Sequence, residues 1–331
     1  MTADPAKIDR LNHALYPSLA MLAGMQLDVF SPLADGPMTA ADLAAKLGVG
    51  AAKLDPLLHA LVIAELLEQR DGGGFVNSPE ADHFLVKGRP DYRGGGHELF
   101  SNIWPAAMQT AETIRTGAPQ AKIDFADMDD NKLGEFFRGL HSGALAAGRN
   151  LLASELDLRG CRRLLDVGGG TGGAAIALCE ALPALTAAVL ELPRIANLVT
   201  REFVSAAGLA DRIAVVEGDA VRETPTGEYD LVVMKALLQV IGPAEAAAVV
   251  TNVAKALAPG GRLIIIGRVL NDDRLSPTPA ALFNLVFLNI YDGGLAHTEG
   301  EHRQWLSAAE LTDVQMLPLG TDTLIAAVRA A

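Results

Sequence analysis

The sequence predicts a mixed α/β chain: a doubly wound, mostly parallel sheet ending in an antiparallel hairpin, preceded by a mostly helical first part. Three observations predict it. From Cys161 onward, short apolar strands alternate with helical stretches, the pattern of a parallel sheet with crossover helices. The last two strands, 314–319 and 323–328, are separated only by Gly320-Thr321-Asp322, a turn that allows nothing but an antiparallel pair. A glycine run, Gly168 to Gly170 and then Gly172 and Gly173, falls where the first strand of the alternating part meets its helix.

Composition narrows the class. The 331 residues are 50% hydrophobic and 20% charged, enough apolar material for sizeable cores and too little charge for a disordered chain. The apolar run from Ala280 to Tyr291 is far shorter than the roughly 20 residues of a membrane span. The first thirty residues lack a basic stretch followed by an apolar one, and there are only two cysteines, Cys161 and Cys179. A cytoplasmic protein without a disulfide framework is expected. The net charge of -13 opposes broad attraction to nucleic acid or anionic lipid.

In chain order, Leu15, Leu19, Leu22 and Leu27 begin an apolar helical stripe that closes near Phe30. Thr39-Ala40-Ala41-Asp42 is a helix start, with Thr39 as cap and an acid three residues on; that helix stops at Gly48. A second helix follows over about 52–67, then a hairpin signal over 69–76. Helix, turn, helix and β-wing spell a winged helix. Residues 1–100 nevertheless hold eight Lys/Arg against thirteen Asp/Glu, and the second helix offers only Lys53 as a cation. A groove-reading role is therefore disfavoured against packing or dimerisation. The expected organisation is a winged-helix dimerisation domain over 1–95, a linker with pocket-covering helices over 96–160, and a ligand-binding sheet domain over 161–331.

The sheet domain carries the chemistry. The glycine loop lets the backbone turn sharply and approach a ligand, and the helix behind it supplies amide donors. Glu191 closes the second strand of this part, where a carboxylate can accept both hydroxyls of a ribose. Gly218-Asp219 closes the third strand and Lys235 the fourth, all at the carboxyl edge where such sheets bind ligands.

On Leu165-Asp166-Val167-Gly168-Gly169-Gly170-Thr171-Gly172, Glu191-Leu192-Pro193, Gly218-Asp219, Lys235, Pro259-Gly260-Gly261, Thr298 and Glu301, the chain resembles the O-methyltransferases of the plant natural-product and acetylserotonin type. The likeness runs from about Leu11 to Val328. It implies a Rossmann-like class I methyltransferase sheet behind a winged-helix dimerisation domain, S-adenosylmethionine as cofactor, a homodimer and a small-molecule acceptor. It also implies cofactor contacts at Gly168, Glu191, Asp219 and Lys235, with Asp166 and Gly170 beside them in the loop.

The resemblance breaks at one place. Members of that family carry a His-Asp-Trp step after the fourth strand, whose histidine deprotonates the acceptor hydroxyl; here Gln239 stands in its position. Gly267 replaces a glutamate at the end of the fifth strand, and Ala296 the acid of a Glu-Arg-Thr step. Glutamine can orient a proton but not accept one. Of the seven histidines, His141 is the expected substitute base, since it follows Phe136 and Phe137 in the segment matching a pocket-lining helix; His97 and His297 are weaker candidates. Trp104, Met108, Phe136, Phe137, Phe287, Tyr291 and His297 are the candidate acceptor pocket. His297 and His302, five residues and about 140° apart on a helix, point away from each other, so no metal is expected. The expected function is methyl transfer to oxygen. Transfer to carbon, nitrogen or sulfur, and non-methylating chemistry with the same cofactor, are the alternatives; a winged-helix regulator and a nicotinamide dehydrogenase are weaker ones.

Overall fold

The computed structural model describes residues 4–89, 92–93, 104–125 and 127–330, which form two compact units divided near residue 101. The first unit contains α1 (Ala6–His13), α2 (Leu15–Gln26), α3 (Phe30–Leu33), α4 (Ala40–Leu47), α5 (Ala51–Ile63), the hairpin β1 (Leu67–Gln69) and β2 (Phe75–Asn77), and α6 (Pro79–Phe84). Thr39 caps α4 by accepting from the Asp42 amide, and Gly48 ends it in the left-handed region at φ 68°. The helix expected to run into Phe30 is broken instead at Asp28, and α5 stops four residues early because Glu65 turns the chain into β1; both residues have positive φ. Phe30, Leu33, Leu43, Leu54, Leu58, Leu61, Leu67 and Phe75 fill the core of this unit. Nothing on α1 is buried within the unit, and Ile8, Leu11, Leu15 and Tyr16 form an exposed apolar stretch along α1 and α2.

The second unit contains α7 (Thr110–Thr116), α8 (Asp130–Ala153), β3 (Arg163–Val167), α9 (Gly173–Ala181), β4 (Thr186–Glu191) and α10 (Pro193–Ile195). A π-helical turn, Ala196–Thr200, leads into α11 (Arg201–Ala206). Then come β5 (Ile213–Glu217), β6 (Tyr229–Lys235), α12 (Pro243–Lys255), β7 (Leu257–Gly267), α13 (Thr278–Ile290), α14 (Glu299–Ala308), β8 (Leu311–Leu319) and β9 (Asp322–Arg329). The seven strands lie in the order β5-β4-β3-β6-β7-β9-β8; β3 to β7 are parallel, and β9 pairs antiparallel with both β7 and β8. Alternate residues supply the two faces. Leu165, Val232, Met234, Leu263 and Ile265 pack against Val249, Val250 and Val253 of α12 and Trp305 of α14. Leu164, Val233, Ile264 and Ile266 pack on the other face with Leu151 of α8 and Ile176 and Leu178 of α9. This period of two with both faces covered is what a central parallel sheet demands. It leaves the carboxyl ends of β3, β4, β5 and β6 along one edge, where the glycine loop lies. Among the described residues no helix is long and apolar enough to cross a membrane.

The packing of α8 on α9 decides what surrounds that loop. A Cβ on Gly148 of α8 would stand 2.8 Å from both the Ala174 carbonyl oxygen and the Ala177 Cβ, and one on Gly173 would stand 2.7 Å from the Ala144 Cβ. Glycine is needed because the helices approach to backbone contact there. Gly148→Leu should therefore destabilise the protein by about 1–3 kcal/mol through overpacking. Gly143→Ala on the same helix, with open space where its Cβ would go, should stabilise it by up to about 1 kcal/mol. Thermal unfolding of the two variants checks the contrast.

Candidate active site

The loop after β3 is built on backbone geometry that only glycine adopts freely: Gly168, Gly170 and Gly172 have φ of 62°, 57° and 73°. Glu191, the last residue of β4, holds it. Its Oε2 accepts from the Gly170 amide and its Oε1 from the Leu192 amide, each at 2.8 Å. Thr200 donates its hydroxyl to the Gly170 carbonyl at 2.6 Å. A carboxylate has about four acceptor positions, so two remain on Glu191 for a diol. Burial raises the Glu191 pKa, and the two amide bonds oppose that rise.

Asp166, on β3, accepts from the Ala175 amide at 3.2 Å through Oδ2, while its buried Oδ1 has no partner. Burial is the main cause that lifts its carboxyl to about 7, helped by the Glu191 charge and opposed by the Ala175 bond and Lys235. An unmet buried acceptor costs about 1–3 kcal/mol. Set beside the glycine cradle, it is a place for a ligand that brings a donor or a positive charge. Asp219 accepts from Val221 at 3.0 Å and pairs with Arg222 at 3.2 Å, keeping part of its carboxylate open at the end of β5. Lys235 ends β6 half-buried, and among the described residues it makes no hydrogen bond or ion pair. Burial lowers its pKa, with Asp322 and Asp166 opposing.

The region expected to meet an acceptor begins after β6, where Ala236 turns at φ 58° into the 3-10 turn Leu238–Val240. Gln239 uses its carbonyl oxygen to accept from the Arg268 backbone amide at 2.7 Å. A Cβ on Gly267 would lie only 2.6 Å from that same oxygen. Glutamine at 239 and glycine at 267 are thus one arrangement: a side chain at 267 would evict the amide. Ala296, where the resemblance leads one to expect an acid, is buried with Leu270, Ala280 and Phe287, and Phe283 and Tyr291 pack on this cluster. The Phe287 ring meets Phe283 edge to face at 4.9 Å and lies 6.2 Å from Tyr291, whose phenol is pushed up to about 12 by burial. Gly294 closes the group, since a Cβ there would be 2.9 Å from both the Gln239 backbone carbonyl oxygen and the Tyr291 ring.

Several expected residues land elsewhere. The His141 Nδ1 lies 2.8 Å from the Thr171 hydroxyl and its ring stacks at 4.2 Å on Phe203, so the imidazole braces the glycine loop. Phe137, one turn earlier, packs against Phe125 and Phe136 and reaches to 3.2 Å from where a Gly170 Cβ would be. His297 is buried with its Nε2 3.0 Å from the Leu238 carbonyl and 3.2 Å from that of Ile241. Facing two acceptors, that nitrogen carries the proton, and the ring pins the turn bearing Gln239 instead of meeting an acceptor. His297 precedes the helix, so the helical spacing used to separate it from His302 does not hold. The two rings lie 6.2 Å apart, both against Trp305. Among the described residues, no group of three or more His, Cys, Asp or Glu is placed to hold a metal ion. Met108 is 85% exposed, while Trp104 is half-buried in a helical segment ending at 107. His97 lies outside the described residues. Sequence reasoning missed Thr200 and Arg268, which belong to no motif and reach the loop and the turn only through the fold, and it gave no role to Thr171 within the glycine motif.

The O-methyltransferase domain matches residues 116–312, and the O-methyltransferase dimerisation domain matches residues 10–87. The chain is 31% identical to a 3-hydroxy-5-methyl-1-naphthoate 3-O-methyltransferase of Streptomyces sahachiroi, over 98% of this chain and 96% of that protein. It is 30% identical to the tetracenomycin polyketide synthesis 8-O-methyl transferase TcmO of Streptomyces glaucescens, over 97% and 95%. The solved structure of PigF with SAH superposes with a TM-score of 0.81 at 25% identity, over 99% of this chain and 100% of that one. With both domains matched and relatives aligned along nearly its whole length, the chain belongs to the O-methyltransferase family and carries that family's dimerisation domain.

Proposed function

We propose that this protein moves the methyl group of S-adenosylmethionine to a hydroxyl oxygen of a small organic acceptor, and that it does so without a general base after the fourth parallel strand. The observation that carries the second half is the Gln239 carbonyl, committed to the Arg268 amide over a residue without a side chain. The first half rests on the family and on the fit of the loop: Glu191 has acceptor positions left for a ribose diol, Asp166 an unmet oxygen beside the glycines, and Asp219 an open carboxylate.

When bound, the sulfonium cofactor supplies an electrophilic methyl group. The chain's own residues then have three tasks. Gly168 and Gly170 let the backbone come close to the cofactor, while Glu191 orients its sugar. Phe137 stands against the loop, and Phe287, Tyr291 and Trp104 are the apolar surfaces offered to the acceptor, so that the reacting atoms meet in line away from water. His141 keeps the loop in shape through Thr171; its pKa is lowered by burial. Transfer to carbon, nitrogen or sulfur is the second reading, favoured by the same Gln239 geometry because such nucleophiles need less help with a proton. The first unit is read as the pairing surface of a homodimer, with the exposed stretch Ile8, Leu11, Leu15 and Tyr16 as its apolar part.

Glu191→Ala removes charge-assisted bonds worth about 1.5–3 kcal/mol each and should weaken S-adenosylmethionine binding about tenfold or more by calorimetry. His141→Ala should raise the cofactor KM while leaving the pH profile of kcat in place, whereas loss of a general base would cut kcat by about 10²–10⁴. Leu15→Glu combined with Tyr16→Glu should shift the sedimentation coefficient at micromolar concentration from dimer to monomer. An unchanged coefficient would move the interface off these helices.

A further inference from the structure

With its oxygen engaged, the Gln239 side chain has only hydrogen-bond donors left to offer. The Arg268 amide, 2.7 Å away, must be met by an oxygen, which leaves the NH₂ as the other arm of the planar amide. No described residue accepts from it, and the side chain is only half-buried. A hydroxyl that still holds its proton gains little here, since it needs an acceptor for that proton. An oxygen that has already lost it is met by N–H donors.

The charges around this amide agree. Lys235 on β6 makes no side-chain hydrogen bond or ion pair among the described residues; burial lowers its pKa, and the Asp322 charge opposes that more than Asp166 does. Arg268, beyond β7, is paired with Asp322 of β9 at 3.2 Å. Asp166 of β3 reaches this region only through the Lys235 field. His297 and His302 are both held neutral by burial, the second pushed down to about 4, and Tyr291 stays protonated because burial pushes it up to about 12. The His302 Nδ1 lies 2.8 Å from the Thr298 carbonyl and donates to it. A small cavity lined by Gln239, Gly267, His297 and His302, with about 10 Å³ open to the centre of a water molecule, backs the amide. That is room for one water.

Resting on the methyl-transfer reading above, we propose that this site selects acceptors whose reacting oxygen is already ionised at neutral pH: an enol or phenol acidified by conjugation to a carbonyl group. Gln239 receives the oxyanion through its N–H donors, and the Lys235 charge favours it. The oxygen's lone pair forms the new O–CH₃ bond as the S–CH₃ bond breaks and its electron pair returns to sulfur; the proton has left the acceptor in solution beforehand. An ordinary phenol, with a pKa near that of tyrosine at about 10, is ionised in only about one molecule in a thousand at pH 7.

The test compares two bicyclic probes of similar size, 2-hydroxy-1,4-naphthoquinone and 2-naphthol, with the full-length enzyme. S-adenosylhomocysteine release gives turnover, and the visible band of the bound quinone in the presence of S-adenosylhomocysteine gives its ionisation state. The expected result is a kcat/KM at least about 100-fold higher for the hydroxyquinone at pH 7, the scale on which a missing base matters. For each acceptor the pH inflection should also sit at that acceptor's own pKa. Gln239→Glu keeps the Arg268 bond but replaces the donors by a negative charge, and should lose affinity for the ionised probe about tenfold or more. Equal turnover of the two probes, an inflection at one fixed pH for both, or no binding of either overturns the proposal. If the quinone binds as its anion and Gln239→Glu abolishes this, yet no acceptor yields S-adenosylhomocysteine, selection stands and methyl transfer falls.

Discussion

The hydrogen bond from the Gly170 amide to Glu191 ties the end of β4 to the loop leaving β3, and the site is arranged around it. Two neighbouring parallel strands place their carboxyl ends side by side, so a carboxylate on one can reach the loop of the other only when that loop turns back sharply. The left-handed glycines make that turn, and Thr200 fixes it from the other side through the Gly170 carbonyl. The amide that Glu191 holds and the acceptor positions it keeps free therefore belong to one geometry. A buried acid is tolerable here because two backbone donors partly offset its desolvation. Asp166, with only one such donor, is left with an oxygen in want of a partner.

A second constraint is steric. The backbone-close crossing of α8 and α9 at Gly148 and Gly173 sets the distance of α8 from the loop, and with it the reach of Phe137 and His141. His141 then meets Thr171 and Phe203 on the loop's own flank. A histidine spent on the cofactor loop is not available to the acceptor. The same logic removes His297, whose ring is consumed by two carbonyl oxygens of the turn that carries Gln239.

The alternation of strands and helices, the glycine loop and the acids at successive strand ends were legible in the sequence because each rests on short-range pattern. Period-two burial marks the strands, and positive φ marks Gly168, Gly170 and Gly172. The Thr39 and Thr298 caps were legible for the same reason, and the structure shows both. What sequence could not supply was direction. Nothing in the spacing of Phe136, Phe137 and His141 says which side of α8 meets the loop and which an acceptor. The breaks at Asp28 and Glu65 were equally hidden, since both residues adopt a left-handed backbone that ordinarily favours glycine.

The three positions at which the sequence reading expects departures from the family pattern, 239, 267 and 296, are far apart in sequence and lie around one turn in the structure. Gln239 needs the volume that Gly267 leaves, and its turn is held by His297, the neighbour of Ala296. A glutamate restored at 267 alone would collide with the amide. A histidine restored at 239 alone would find no acid at 267 or 296 to orient it, and a base must be held in the right tautomer to work. Reversion of one position therefore gains little, and the arrangement is stable as a set. On the proposed reading, its shared consequence is an acceptor end with N–H donors and neutral imidazoles, which leaves the proton chemistry to the acceptor itself.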